Sequence, residues 1–203
     1  MNPQTQSHLF WGKFSPLSSL TGAVLLIIAS GRIAFALICT LALVWVYVFV
    51  MAVAKLGGDY FPEWGRKAVL LFISALAAGI FLILLWIFNP VLALESSLIV
   101  FFVPVVFTAS DLCGRVLDYD MLEILSQALA EALILGVLIL GISLIREPLG
   151  FGSISVPGLD IVRFVREEPL RFFQTSSGAL IILGYGIAVY RFFRKEYTNT
   201  EDD

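Results

Sequence analysis

Few side chains in this sequence have reactive chemistry, and several of those sit inside apolar runs. Glu131 lies within AEALILGV, and Glu95 follows the Asn89-Pro90 turn signal by a few residues. An ionisable group in hydrocarbon is expensive, about 2.5–3.5 kcal/mol at a helix centre for Asp, Lys or Arg, so such groups mark candidate ion paths. Glu131 is therefore a candidate for lining one, with interfacial placement as the alternative. Glu95 reads as a group at the membrane surface. Asp111 and Arg115 are four apart and can pair on a helix, or stay solvated at a helix end. Arg146-Glu147, followed by Pro148, Gly150 and Gly152, reads first as a helix stop. Cys39 and Cys113 lack paired-motif spacing, and Cys39 reads as a small hydrophobe. The single histidine, His8, sits in a polar stretch and takes no metal role. There is no phosphate loop, dinucleotide fingerprint, zinc spacing or nucleophile–base pair. The chain offers no enzyme chemistry of its own.

The elements that must carry these residues are membrane helices. Ile33–Ala54 and Ala68–Phe88 contain no charged residue. Each exceeds the roughly 20 residues needed to cross a hydrocarbon core about 30 Å thick. The sequence is 59% hydrophobic and 14% charged, with a net charge of -3, which places it among membrane proteins and argues against a nucleic-acid partner. Six segments are expected: about 17–30, 33–54, 68–88, 91–109, 128–145 and 178–193. They form a six-helix membrane domain over 17–195, between a polar segment 1–16 and an acidic tail 196–203. Residues 1–16 lack the basic and apolar regions of a cleavable signal peptide. Ile161–Phe173 has the alternation of an amphipathic helix lying along the interface.

The first and fourth segments are imperfect in the same way. Each opens a group of three, carries a proline (Pro16, Pro104) and holds small polar residues. Broken helices at equivalent places suggest two inverted three-helix repeats, although short membrane helices are also common without any repeat. The expected fold is thus an all-α polytopic membrane protein with broken first and fourth helices. Six spans place both termini on one side. That side collects Lys13, Lys55, Arg66, Lys67, Arg115, Arg191, Arg194 and Lys195, against Arg32, Arg146, Arg163, Arg166 and Arg171 on the other. The excess puts both termini in the cytoplasm.

Three stretches carry a resemblance: FVPVVFTASDLCGR at Phe102–Arg115, ISLIREPLGFGS at Ile142–Ser153 and SGALIILGYGIAVYRFF at Ser177–Phe193. In order and spacing they resemble the six-helix membrane subunits of the Rnf complex and the sodium-pumping NADH:quinone reductase, most nearly the Rnf E / Nqr D branch. The resemblance covers residues 98–195, and weakly Ser15-Pro16-Leu17. It implies a subunit of the bacterial inner membrane that pairs with a homologous subunit of opposite orientation, beside flavin-bearing subunits. It also implies an intramembrane [2Fe–2S] cluster shared by the pair, with electron transfer coupled to Na⁺ or H⁺ movement. Under this reading Arg146 and Glu147 contact the neighbouring subunit.

The sequence departs from that pattern where the cluster is held. Aligned without gaps, Pro104 meets the family proline and Gly114-Arg115 its Gly-Arg, so the ligand cysteine falls on Ser110. The other falls on Ser15. Iron–sulfur clusters are held by thiolates, and a serine hydroxyl is hard to deprotonate. Cys113 lies three residues beyond Ser110, near enough on a helix to share its face. It is a structural thiol by default and a replacement ligand as the alternative. The expectation is a non-catalytic membrane subunit of an ion-translocating electron-transport complex, without normal cluster ligands of its own. The rival is a six-helix component of a small-molecule or ion transporter.

Overall fold

The computed structural model describes residues 20–57, 65–110, 120–156, 159–163 and 170–199. Six α-helices make up nearly all of it: α1 Leu20–Ala29, α2 Ile33–Gly57, α3 Arg66–Phe88, α4 Pro90–Ala109, α5 Met121–Phe151 and α6 Ser176–Asn199. Four of them, α2 to α5, are long and apolar enough to cross a bilayer. In α6 the apolar stretch is Ser176–Gly186. This is a helical integral membrane protein.

Two long helices form the centre. α2 and α5 pack along one another, and α4 lies against α2. They run antiparallel: Ile33, at the start of α2, meets Glu147 near the end of α5, while Thr40 meets Gly136. Between lipid-solvated helices the hydrophobic effect supplies little, so close packing must hold them. Small residues permit it. Ala36, Cys39 and Ala42 of α2 and Ala128, Ala132 and Gly136 of α5 are all buried. At Gly136 the approach is closest, because an added Cβ would overlap Thr40 Cγ2. The Thr40 hydroxyl donates to Ala36 O at 2.8 Å and Gly136 O at 3.4 Å. Tyr47 of α2 and Phe107 of α4 meet edge to face, with ring centroids 5.0 Å apart.

α3 folds back on α2 as a helical hairpin. Trp45 Nε1 donates to Ala77 O at 3.1 Å, beside the buried Ala78. Its outer face is bare: Phe72, Leu76, Ile83, Ile87 and Phe88 are exposed, as expected of a lipid-facing surface. Asn89 separates α3 from α4. Its side chain accepts from Leu92 N at 3.1 Å, and Pro90 opens α4, where its missing N–H costs nothing.

Several expectations need correction. α5 does not stop at Arg146-Glu147-Pro148. It continues to Phe151 and ends at Gly152, which takes the left-handed φ of 63°. A proline in a last turn forfeits one backbone bond, whereas the αL glycine supplies the actual terminator. α4 passes through Pro104 unbroken and ends at Ala109. The interfacial helix expected over 161–173 is absent from its described parts. β1 Ser153–Val156 and β2 Leu159–Arg163 pair antiparallel, and Arg171–Gln174 is a 3-10 turn. Ile154, Val156, Ile161 and Val162 are β-branched, which favours strand over helix. The all-α expectation therefore holds for the bundle and not for this small ribbon.

Candidate functional site

The polar centre of the molecule is the Arg146–Glu147 pair. Both side chains are buried, at 4% and 1% exposure. Consecutive residues on a helix point about 100° apart, and this pair uses that angle to reach different elements.

Arg146 spends its whole donor set. Nε donates to Phe173 O at 2.8 Å. One terminal nitrogen donates to Ile27 O at 3.0 Å and Ser30 Oγ at 3.1 Å. The other donates to Gln174 O at 2.9 Å and Thr175 O at 3.0 Å. These five bonds match the five N–H donors of a guanidinium. Ile27 O lies in the last turn of α1, and the other carbonyls line the turn before α6; Ile27 O also accepts from Ser30 Oγ and Thr175 O from Gly178 N–H. Helix C-termini carry orphan carbonyls and negative partial charge, so a buried cation belongs there.

Glu147 turns to α2. Its carboxylate accepts from the Ile33 backbone N–H at 2.6 Å, at the first residue of that helix. An N-terminus offers orphan donors and positive partial charge, the complement of the α1 end. One dipeptide of α5 thus satisfies both sides of the Ser30-Gly31-Arg32 break. The surrounding packing leaves no slack. Gln174 Nε2 donates to Gly150 O at 2.9 Å, and a Cβ on Gly150 would lie 3.2 Å from Gln174. A Cβ on Gly178 would lie 2.6 Å from Phe173 Cα. Arg32 stacks over the Phe151 ring at 5.4 Å. One turn before the pair, Ser143 is fully buried, and its Oγ has no partner among the described residues.

The other expected site residues lie apart from this centre. Glu131 is half-buried on α5 with Oε2 enclosed, about four turns from Glu147. Glu95 is exposed on α4. Ser110 caps the C-terminal end of α4, and its hydroxyl donates to Phe107 O at 2.7 Å. Cys39 is a buried free thiol on α2. Ser15, Asp111, Cys113 and Arg115 lie outside the described residues. Among the described residues no three His, Cys, Asp or Glu side chains gather as a metal site. A hydroxyl committed to its own helix, as at Ser110, does not fit a thiolate-held iron cluster.

Sequence reasoning singled out Arg146 and Glu147 but missed their partners. Ser30, Gln174 and Thr175 are ordinary polar residues in sequence. The Ser30-Gly31-Arg32 interruption was the one signal of a helix corner in need of capping.

No protein-family model matches the chain. It is 33% identical over 92 residues to a protein of Treponema pallidum (strain Nichols) described as uncharacterized. The match covers 43% of this chain and 44% of that relative, so the chain spans less than half of the protein it resembles.

Proposed function

We propose that this chain is a non-catalytic, membrane-embedded subunit of an Rnf/Nqr-type ion-translocating electron-transport complex in a bacterial inner membrane, with both termini cytoplasmic. The reading rests on the resemblance of the three motif stretches; the pattern of helix packing supports its two-repeat arrangement, which a transporter component would share. Let a two-fold operation exchange α1 with α4, α2 with α5 and α3 with α6. The packing of α3 on α4 then corresponds to that of α6 on α1, α2 on α3 to α5 on α6, and α2 on α4 to α5 on α1. The pairs α1–α4 and α2–α5 map onto themselves, and both are in contact, whereas the light contact of α1 with α2 has no comparable counterpart between α4 and α5. An inverted repeat gives this correspondence, and its halves meet at the midplane. The motif stretch Ile142–Ser153 carries part of the resemblance, but its Arg146 and Glu147, expected to contact the neighbouring subunit, are buried within this chain and hold α1, α2 and the entry to α6.

The subunit's role is structural or ion-conducting. With Ser110 bonded to its own helix, and serine at the matching position 15, the chain supplies no ordinary pair of cluster ligands. Its partners are an oppositely inserted homologous subunit and flavin-bearing subunits. Affinity purification of the full chain from its native membrane tests this. Flavoproteins and NADH-oxidising activity are expected to co-purify; an ATPase in their place overturns the reading in favour of a transporter component. Iron analysis and EPR on the same material, with Cys113→Ala beside it, test the ligand assignment. Loss of a [2Fe–2S] signal in that variant would show that Cys113 holds the cluster after all.

A further inference from the structure

We propose that the outer face of α4 is a docking surface for a transmembrane helix of another protein, one that presents a lysine or arginine to Glu95. The inference is independent of the redox assignment. α4 has 20 residues, about 30 Å at ~1.5 Å per residue, so it uses its whole length to cross a core about 30 Å thick. Glu95 lies in its second turn, roughly 8 Å in from the Asn89-Pro90 end, deeper than the surface position its sequence suggests. Intramembrane carboxyls almost always face a bundle interior, a water-filled cavity or a counter-charge. Glu95 instead faces outward, and it makes no hydrogen bond or ion pair with the described residues.

What surrounds the carboxylate points to a helix as the occupant. Val91, Leu94, Leu98, Phe101 and Val105 recur three and four apart and are between 41% and 64% exposed. They make a seam about 21 Å long, with the spacing along which one helix seats on another, and Glu95 holds the flanking position from which a charge reaches a partner. Lipid tails accept the apolar seam and not the carboxylate; a helix with a cation at this depth accepts both. A second copy of this chain is a poor match. Of the cations on α2 to α5, Arg146 spends its donors internally, and Lys55, Arg66 and Lys67 lie at the opposite end of the helices from Asn89-Pro90. Arg32, just before α2, lies over the Phe151 ring.

The test places photo-reactive benzoylphenylalanine at position 98, on the seam, or at position 144 of α5, where the native leucine is as exposed, in the full chain in its native membrane. Irradiation of the first is expected to give an adduct with a transmembrane segment of another protein, mapped by peptide mass spectrometry, that carries Lys or Arg within about one turn of the cross-linked residue. Irradiation of the second is not. That mapping keeps Glu95 and does not depend on a charge variant folding. Glu95→Gln, a change at an exposed side chain, is expected to unfold at the native midpoint and to lower the adduct yield roughly fivefold or more. Exchanging the charges, Glu95→Lys with the mapped cation changed to glutamate, should restore it. Lipid adducts alone, an adduct with a second copy, a segment without a nearby cation, the same adduct from position 144, a yield undiminished by Glu95→Gln, or no recovery on charge exchange each overturn the proposal.

Discussion

Arg146 shows why a charge survives inside an apolar bundle. A buried guanidinium is tolerable only when its donors are met, and each of its five finds an oxygen. Arg146→Gln is expected to leave part-buried carbonyls such as Phe173 O and Gln174 O short of donors, at ~1–3 kcal/mol for each orphan, measured as denaturant unfolding in detergent. Arg146→Lys keeps the charge but has three donors in place of five, so its loss should be smaller and still clear. Equal stability of the two variants would mean that charge alone matters at this site. Gly136 is the matching case for packing. Gly136→Ala drives a methyl into Thr40 Cγ2, an overpacking cost of about 1–3 kcal/mol. Adding Thr40→Ser removes that carbon and should recover part of the loss, which a double-mutant cycle reads directly.

Among the elements, α5 departs furthest from what its sequence suggests. Proline and two glycines close to a charged pair read as a stop, yet the helix runs to Phe151 because the pair has burial partners and Pro148 falls in the final turn. The terminator is the last residue of that signal, Gly152, whose φ of 63° suits glycine best. Gly152→Ala is expected to cost about 1–2 kcal/mol in that conformation, whereas alanine at Gly141, where an added Cβ meets nothing within 4 Å, should be near neutral or stabilising. Thermal unfolding of the two variants side by side separates conformational strain from simple loss of glycine. The ribbon β1–β2 makes a similar point. Its last three residues, 161–163, open the stretch expected as an interfacial helix, but β-branched side chains and a partner strand settle them as sheet.

At the scale of the whole molecule, the proposed inverted repeat places two three-helix halves across the bilayer in opposite senses. Reporter fusions at each terminus are expected to report the same compartment, the cytoplasm, and a fusion after Val156 the opposite one. Opposite compartments for the two termini would remove the inverted repeat. Periodicity and length were enough to determine membrane insertion, because apolar runs such as Ile33–Ala54 have no alternative that satisfies their backbone in lipid. The α3–α4 turn was equally legible, since Asn89 and Pro90 act locally. The sequence also marked Arg146 and Glu147, though as punctuation. Only the tertiary structure decided their part in the fold, because Ile27, Ser30, Ile33 and Phe173–Thr175 come within reach of α5 only after the helices pack. Local chemistry is written in neighbouring residues, whereas a buried charge is defined by oxygens and N–H groups dozens of positions away.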